Sequence, residues 1–308
     1  MKPYDILVAG EINPDLILIG DVAPAFGQIE KLVDSATMTV GSSSAIFACG
    51  AACLGLKVAF VGVCGADVFG RFMLDELSRR GVDASGVIID PALQTGLSVI
   101  INRGTDRAIL THLGAIDHLQ AEQVTDGLLQ QARHLHVASY FLQTSLQPGL
   151  LDLFQRAHIL GLTTSLDTNW DPSGEWRGFD NLLGRVDVFL PNENEALALT
   201  GKPVVEAAAQ ALGRKCGLVA VKLGARGALA CRGEDVARAE ALPVQVMDTV
   251  GAGDSFDAGF LYGFLNGWGL EKSLRLAAAC GSLSTRCAGG TAAQPTLEEA
   301  MQYVPPAG

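Results

Sequence analysis

The chain has 308 residues, 49% of them hydrophobic and 18% charged, with 36 glycines and a formal net charge of -11. That composition excludes a disordered or fibrous polymer, and the lack of any Lys/Arg stripe excludes nucleic acid as a partner, because binding a phosphate backbone is chiefly charge neutralisation. The same acidity disfavours an anionic membrane surface but leaves phosphate ligands open, since a helix N-terminus attracts an anion locally.

Ile6–Ala9 is a short apolar run closed by Gly10, which suits a buried parallel strand, and nothing before it has the layout of a secretory leader. Leu16–Ile19 and Lys31–Val40 mix polar and apolar residues and are expected to be exposed sheet. Ala45 to Cys64 carries a single charge, Lys57, but Gly50 and Gly55 interrupt it. A helix over Ser44–Leu54 and a strand over Val58–Val63 are expected there, not a membrane span. Phe69–Arg80, closed by Gly81, reads as an amphipathic helix. Leu97–Asn102 and Arg107–His112 flank Arg103-Gly104-Thr105-Asp106, a hairpin signal.

Strands are then predicted at His134–Ala138, Thr163–Leu166, Val186–Leu190 and Leu218–Lys222. Helices are predicted at Asn194–Leu199, Ser255–Leu265 and Glu271–Arg286. Strand alternating with helix implies an α/β fold, a mostly parallel sheet with helices on both faces. Segments 12–40 and 94–113 fall outside that alternation and are expected to form one small sheet inserted into a single domain over residues 1–308. Cysteines 49, 53, 64, 216, 231, 280 and 287 contain no CxxC pair and sit mostly among apolar residues. Buried free thiols and a reducing cytoplasm are the expectation. The five histidines show no metal-ligand spacing, and His134 and His136 read as structural.

The strongest local signal is Asp248-Thr249-Val250-Gly251-Ala252-Gly253-Asp254-Ser255-Phe256, two glycines and an alanine opening a long apolar run. Small residues at a helix start leave its first N–H groups open to an anion, and Asp254 puts a carboxylate beside that turn. Asp254 is thus either a general base or a helix-terminal charge. Gly65 to Arg71 has Walker-like glycine spacing, but Arg71-Phe72 replaces the Lys-Ser/Thr pair. Gly251-Ala252-Gly253 lacks the third glycine of a dinucleotide fingerprint.

Asp248 to Leu261 resembles the C-terminal signature of the ribokinase-like, or PfkB, carbohydrate kinases. Other motifs of that family recur in order: Gly10 through Asp15; Gly62, Gly65, Asp67, Gly70, Leu77, Gly81 and Val82; Asn192 with Glu195; and Lys222-Leu223-Gly224-Ala225-Arg226-Gly227. The resemblance implies a three-layer α/β/α core with a small β lid, and transfer of the ATP γ-phosphate to a hydroxymethyl group of a sugar-like acceptor. It implies Asp254 as base, with Gly251, Ala252 and Gly253 as the anion hole. Asn13, Asp15, Gly41, Ser42 and Ser43 would meet the acceptor, and Asn192, Lys222, Gly224, Gly227 and Gly253 would meet ATP. Glu195 would act on Mg²⁺ through water, and Asp248 with the Val250 carbonyl on a monovalent cation such as K⁺.

Three features keep alternatives open. Asn192 and Glu195 also suit a helix-capping pair, and Asp248 also suits a turn. Gly41-Ser42-Ser43-Ser44-Ala45-Ile46 departs from the family, which has more glycine there and an Asn at the place of Ile46; the serines either meet a sugar or cap the next helix. Asp167-Thr168-Asn169-Trp170-Asp171, with Trp176 beyond, is similar to the D-x-N-x-R segment of fructokinases and 2-keto-3-deoxygluconate kinases, but Asp171 replaces the Arg. Arg103 and Arg107 either meet an anionic group from the hairpin or are solvated charges. A nucleoside kinase of the same family, or a binding protein without turnover, is the alternative function, and a homodimer through the exposed lid edges is expected.

Overall fold

The computed structural model describes residues 2–103, 106–178 and 180–304. In chain order the first half runs β1 (Tyr4–Ala9), β2 (Pro14–Ile19), β3 (Ser35–Val40), α1 (Ser43–Cys53), β4 (Val58–Val61), β5 (Val63–Gly65), α2 (Val68–Arg79), β6 (Val82–Asp83), β7 (Ile88–Asp90), β8 (Leu97–Arg103) and β9 (Asp106–His112). Then come α3 (Asp126–Leu129), β10 (Ala132–Val137), α4 (Leu150–Ile159), β11 (Thr163–Leu166), α5 (Asp180–Leu183), β12 (Val188–Phe189), α6 (Glu193–Thr200) and α7 (Val205–Gly213). The chain ends with β13 (Leu218–Lys222), β14 (Ala228–Arg232), β15 (Asp235–Ala239), α8 (Ala252–Leu265), α9 (Leu270–Ser284) and α10 (Leu297–Met301).

Nine strands form the main sheet in the order β15-β14-β13-β12-β11-β10-β1-β4-β6. Seven of them run parallel, while β14 and β15 turn back antiparallel at one edge. Alternation along each strand sends side chains to two helical layers. Ile6 and Val8 join a core with α1, α8 and α9, whereas Leu7 and Ala9 join another with α4 and α7. This is the three-layer α/β/α arrangement expected from the sequence. A second sheet, β3-β2-β8-β9, draws its strands from two separated pieces of chain.

Several bounds move. The expected strand Val58–Val63 breaks at Gly62: β4 stays in the main sheet and β5 pairs with β7 in a small sheet of its own. The twenty-residue apolar stretch is indeed a helix and a strand, and among the described residues no helix is long and apolar enough to cross a membrane. The edge hairpin β14–β15 and the helices α4 and α7 were not picked out in sequence. All seven cysteines are free; Cys287 alone is exposed and Cys53 half-buried.

Chain order fixes where a ligand fits. From β1 the chain builds outward through β4 and β6, then returns to add β10 to β13 on the other side of β1. The boundary between β1 and β10 is therefore a topological switch point, and the crevice beyond the carboxyl ends of such strands is where open α/β sheets bind ligands.

Candidate active site

Two residues missed in the sequence bridge that switch point. Glu11 follows β1 and Ser139 follows β10, and the Ser139 hydroxyl donates to Glu11 Oε1 at 2.8 Å. The other oxygen of this buried carboxylate accepts from the Ser44 hydroxyl at 2.5 Å, and the Ser44 N–H donates to Oε1 at 3.2 Å. Glu11 thereby ties the start of α1 to both central strands. Asn169, with a left-handed φ of 53°, extends the network. Its amide nitrogen donates to the Ser139 hydroxyl at 2.8 Å and to the Ser43 hydroxyl at 2.6 Å. Ser43 in turn hydrogen-bonds Asp254.

Asp254 lies in the first turn of α8 and is 7% exposed. Burial first, then the nearby Asp167 charge, pushes its carboxyl well above the usual carboxylate range, against the pull of Lys222. Gly251 is the residue before the helix, at φ 70°. A β-carbon there would lie 2.6 Å from Gly290 Cα and 2.8 Å from a methyl of Ile46, so only glycine fits. Ala252 and Gly253 are the first helical residues; the Ala252 N–H makes a long turn contact to the Thr249 carbonyl at 3.3 Å, and N–H groups in a first turn have no partner within the helix.

Beneath this turn is a charged cluster that the sequence marked only in part. The Lys222 ammonium, at the end of β13, donates to Asp167 Oδ2 at 2.8 Å and to the two oxygens of Asp257 at 3.1 and 3.2 Å. Burial opposes its charge, but the Asp167, Asp257 and Glu195 carboxyls hold its pKa above the ordinary lysine value. Asp257 and Asp167 also share a hydrogen bond. Burial, offset by Lys222, and the Asp167 charge push Asp257 well up, while Lys222 and hydrogen bonds hold Asp167 below its ordinary value despite burial. The signal for Asp257 was available: it is an acid three residues after Asp254 in an otherwise apolar helix, a spacing that puts both on one face.

Of the residues expected to meet the acceptor, Asn13 and Asp15 are buried. The Asn13 amide donates to the Pro14 carbonyl at 3.2 Å and to the Ser98 hydroxyl at 3.5 Å, reaching the second sheet. Gly41 is a close approach: a β-carbon there would stand 2.1 Å from Asp15 Oδ1. Ser42, at φ 66°, caps α1, accepting from the Ala45 N–H at 3.0 Å and donating to the Glu11 carbonyl at 2.6 Å. For Ser42 the capping role is the one observed; among these serines, Ser43 is the one that reaches Asp254.

On the nucleotide side, Asn192 and Glu195 form a capping box at the start of α6. Glu195 Oε2 accepts from the Asn192 N–H at 2.8 Å and from the Thr168 hydroxyl at 3.4 Å, and Oε1 meets the Asn192 amide. Burial and the Asp167 charge raise the Glu195 carboxyl to about 7. Asn192 is also bridged to Lys222. Gly224 and Gly227 close a tight turn after β13, with the Gly227 N–H donating to the Gly224 carbonyl at 3.0 Å. Asp248 fixes its own turn: Oδ1 accepts from the Val250 N–H at 3.0 Å and Oδ2 from the Gly289 N–H at 2.9 Å.

Asp171 is taken up by its own loop. Its carboxylate accepts from the Ser173 N–H and hydroxyl at 2.8 and 2.7 Å and from the Trp176 N–H at 2.7 Å, organising its own loop. His134 and His136 flank the Ser165 hydroxyl at 2.7 Å each, inside the protein, and take no part in the site. The hairpin tip at 104 and 105 and the side chains of Arg103 and Arg107 lie outside the described residues.

Residues 4–297 match the pfkB family carbohydrate kinases. A sugar kinase of Archaeoglobus fulgidus is 30% identical over 228 residues, 72% of this chain and 89% of its own. The 5-dehydro-2-deoxygluconokinase of Geobacillus thermodenitrificans is 28% identical, with 98% of this chain and 94% of its own covered. The structure of Arabidopsis thaliana ribokinase complexed with ribose and ATP superposes with a TM-score of 0.84, covering 98% of each chain; at 23% identity this is a likeness of fold.

Proposed function

The chain belongs to the pfkB family of carbohydrate kinases, and from that premise we propose that Asp254 is the base of its ATP-dependent sugar phosphorylation. A hydroxymethyl oxygen of the acceptor forms a bond to the γ-phosphorus as the bond to the β,γ-bridging oxygen breaks, ADP leaves, and the hydroxyl proton passes to Asp254. The observation that carries this reading is the buried Asp254 carboxyl in the first turn of α8, beside the N–H groups of the Gly251–Gly253 turn, of which the Ala252 N–H makes a long 3.3 Å contact to the Thr249 carbonyl. Those N–H groups are suited to charge developing on the phosphoryl oxygens.

The acceptor is an uncharged polyol in this reading. Glu11, Asp15 and Asp254 bring three buried carboxyls to the acceptor side, and the nearby Lys222 is committed to Asp167 and Asp257. A sugar acid or sugar phosphate would meet repulsion there. Asn13 and the Ser43 hydroxyl supply polar contacts for acceptor hydroxyls. Asn192, Gly224 and Gly227 border the ATP side, and the β2, β3, β8 and β9 sheet is the lid over the sugar. Its exposed Ile19, Met38, Ile109 and Leu110 suit a homodimer contact.

Magnesium fits the nucleotide side. Burial first, then the Asp167 charge, raises the buried Glu195 carboxyl to about 7, and Lys222 is already shared by Asp167 and Asp257, so a divalent cation would favour the charged form of Glu195. Glu195 would hold it through water, which suits an ion that keeps much of its hydration shell, and the ion would neutralise charge on the transferred phosphoryl group. A monovalent cation at Asp248 and the Val250 carbonyl belongs to the same reading. Incubation with ATP and Mg²⁺ against neutral sugars, sugar acids and nucleosides, followed by ADP release, tests it. Turnover confined to sugar acids would defeat the polyol assignment, and none with any acceptor would defeat the kinase reading.

A further inference from the structure

Four ionisable side chains meet under the phosphate turn: Asp167 after β11, Lys222 at the end of β13, and Asp254 and Asp257 one turn apart on α8. One oxygen from each aspartate lies within 4.8 Å of the others, and all three residues are buried. Such a set resembles a metal site, yet a protein cation already stands in it. Lys222 Nζ contacts Asp167 and Asp257, and it also lies 3.6 Å from where a β-carbon on Gly253 would be.

Asp254 takes its own hydrogen bond from Ser43 on α1, so Lys222 acts on it through space. The groups around Asp254 are unevenly charged. Asp167 and Glu11 oppose its ionisation, Asp257 lies on its own helix, and α9 packs against α8 with Ala277, Cys280 and Gly281. Burial raises the Cys280 thiol, which stays neutral. Lys222 is the positive charge in this group, and a carboxylate removed from water needs one. A base that stays protonated takes no proton from an alcohol.

We propose that Lys222 is a positioning residue for phosphoryl transfer, a built-in cation anchored by Asp167 and Asp257 that supplies the charge against which the Asp254 carboxylate forms. This rests on Asp254 being the base. The anchors grip it unequally: Asp167 Oδ2 accepts at 2.8 Å, and the two oxygens of Asp257 accept at 3.2 and 3.1 Å. Lys222 is thereby fixed under the turn in both directions, between two carboxyls below and Gly253 above.

The test is a carbon NMR titration of protein labelled at the aspartate Cγ, with the Asp254 signal assigned by its loss in Asp254→Asn. Lys222→Met should move the Asp254 midpoint upward by about one to three units, or past the alkaline end of the titration. Lys222→Arg, which keeps the charge, should leave it near the wild-type position. An unmoved midpoint in Lys222→Met, or an equal rise in both variants, overturns the proposal. Should Lys222→Met fail to fold, Lys222→Gln decides: it keeps a hydrogen-bond donor for Asp167 and Asp257 but carries no charge, so the Asp254 midpoint should still rise, and an unmoved midpoint overturns the proposal. The titration needs neither acceptor nor turnover. A wild-type protein inactive on every acceptor would therefore sink the kinase reading, whereas an unmoved midpoint in an active enzyme sinks the cation role alone.

Discussion

The Ile46 side chain closes the space beside Gly251: a β-carbon on Gly251 would stand 2.8 Å from Ile46 Cγ2 and 2.6 Å from Gly290 Cα. Ile46 occupies the place where ribokinase-like kinases usually carry an asparagine, and here it packs on the phosphate turn, with further contact to Gly290. The departure thus exchanges a polar side chain for an apolar wall beside the Gly251–Gly253 turn.

Gly251→Ala should therefore lose both stability and turnover. The left-handed backbone alone costs about 1–2 kcal/mol for a residue with a β-carbon, and overlap with Gly290 adds to it. Gly253→Ala is the contrasting variant, because its added carbon meets Lys222 at ordinary contact distances of 3.5–3.8 Å. It should keep its melting temperature while weakening ATP binding through a methyl in the turn. Thermal melts and ATP calorimetry on both variants separate the two effects; equal melting losses would count against this account.

Asp254→Asn should lower kcat by about 10²–10⁴-fold while ATP affinity stays near wild type. Asparagine keeps the size and the hydrogen bond from Ser43 but takes no proton. A variant retaining more than about a tenth of wild-type turnover would make Asp254 a helix-terminal charge.

Glu195→Gln should split stability from metal dependence. Glutamine serves the N3 position of a capping box as glutamate does, so the melting temperature should hold within a few degrees' worth of about 0.5 kcal/mol. The magnesium concentration needed for half-maximal turnover should rise. If it is unchanged, Glu195 is a capping residue alone.

Stability should fall with acid partly because His134 and His136 are buried. Burial lowers both, His136 to about 3 and His134 well below 6.5. Below 6.5 the unfolded chain takes up the proton and the native state does not, so acid favours unfolding. The penalty for His136 is about 1.4 kcal/mol per pH unit and runs from its unfolded value of 6.5 down to about 3. Urea unfolding of His136→Gln should show a shallower loss over that window than wild type. Parallel pH dependence in the two proteins would remove His136 as a cause.

The parts of the fold readable in sequence were those whose signal is local. Thr163–Leu166 and Leu218–Lys222 were bounded as observed because apolar runs meet turn residues at both ends. The hairpin β14–β15 was not, since regular strand-helix alternation predicts a crossover after Lys222 where the chain instead turns back. Within the site, Asp254 and Gly251 stood out through neighbouring residues. Glu11 did not: it lies within the Gly10–Asp15 stretch, but its partner Ser139 is 128 positions away, so nothing local marks what it binds. Asn192 and Glu195 were legible as a pair, but the capping box they form is one of two jobs the same spacing permits.

The hydrogen-bond chain from Glu11 through Ser139, Asn169 and Ser43 to Asp254 has a consequence for how acceptor preference can change. In the proposed reaction Ser43 both meets the acceptor and hydrogen-bonds the base Asp254, so a substitution there that suits a new acceptor would disturb proton uptake in the same stroke. Asn169 stands one bond further along and carries the same double burden. Residues of the second sheet, such as Ser98 and Thr111, bond each other at 3.1 Å and stand outside that chain. If the second sheet covers the acceptor as proposed, selectivity can drift there while the rate is kept, and divergence toward new acceptors has its least constrained route.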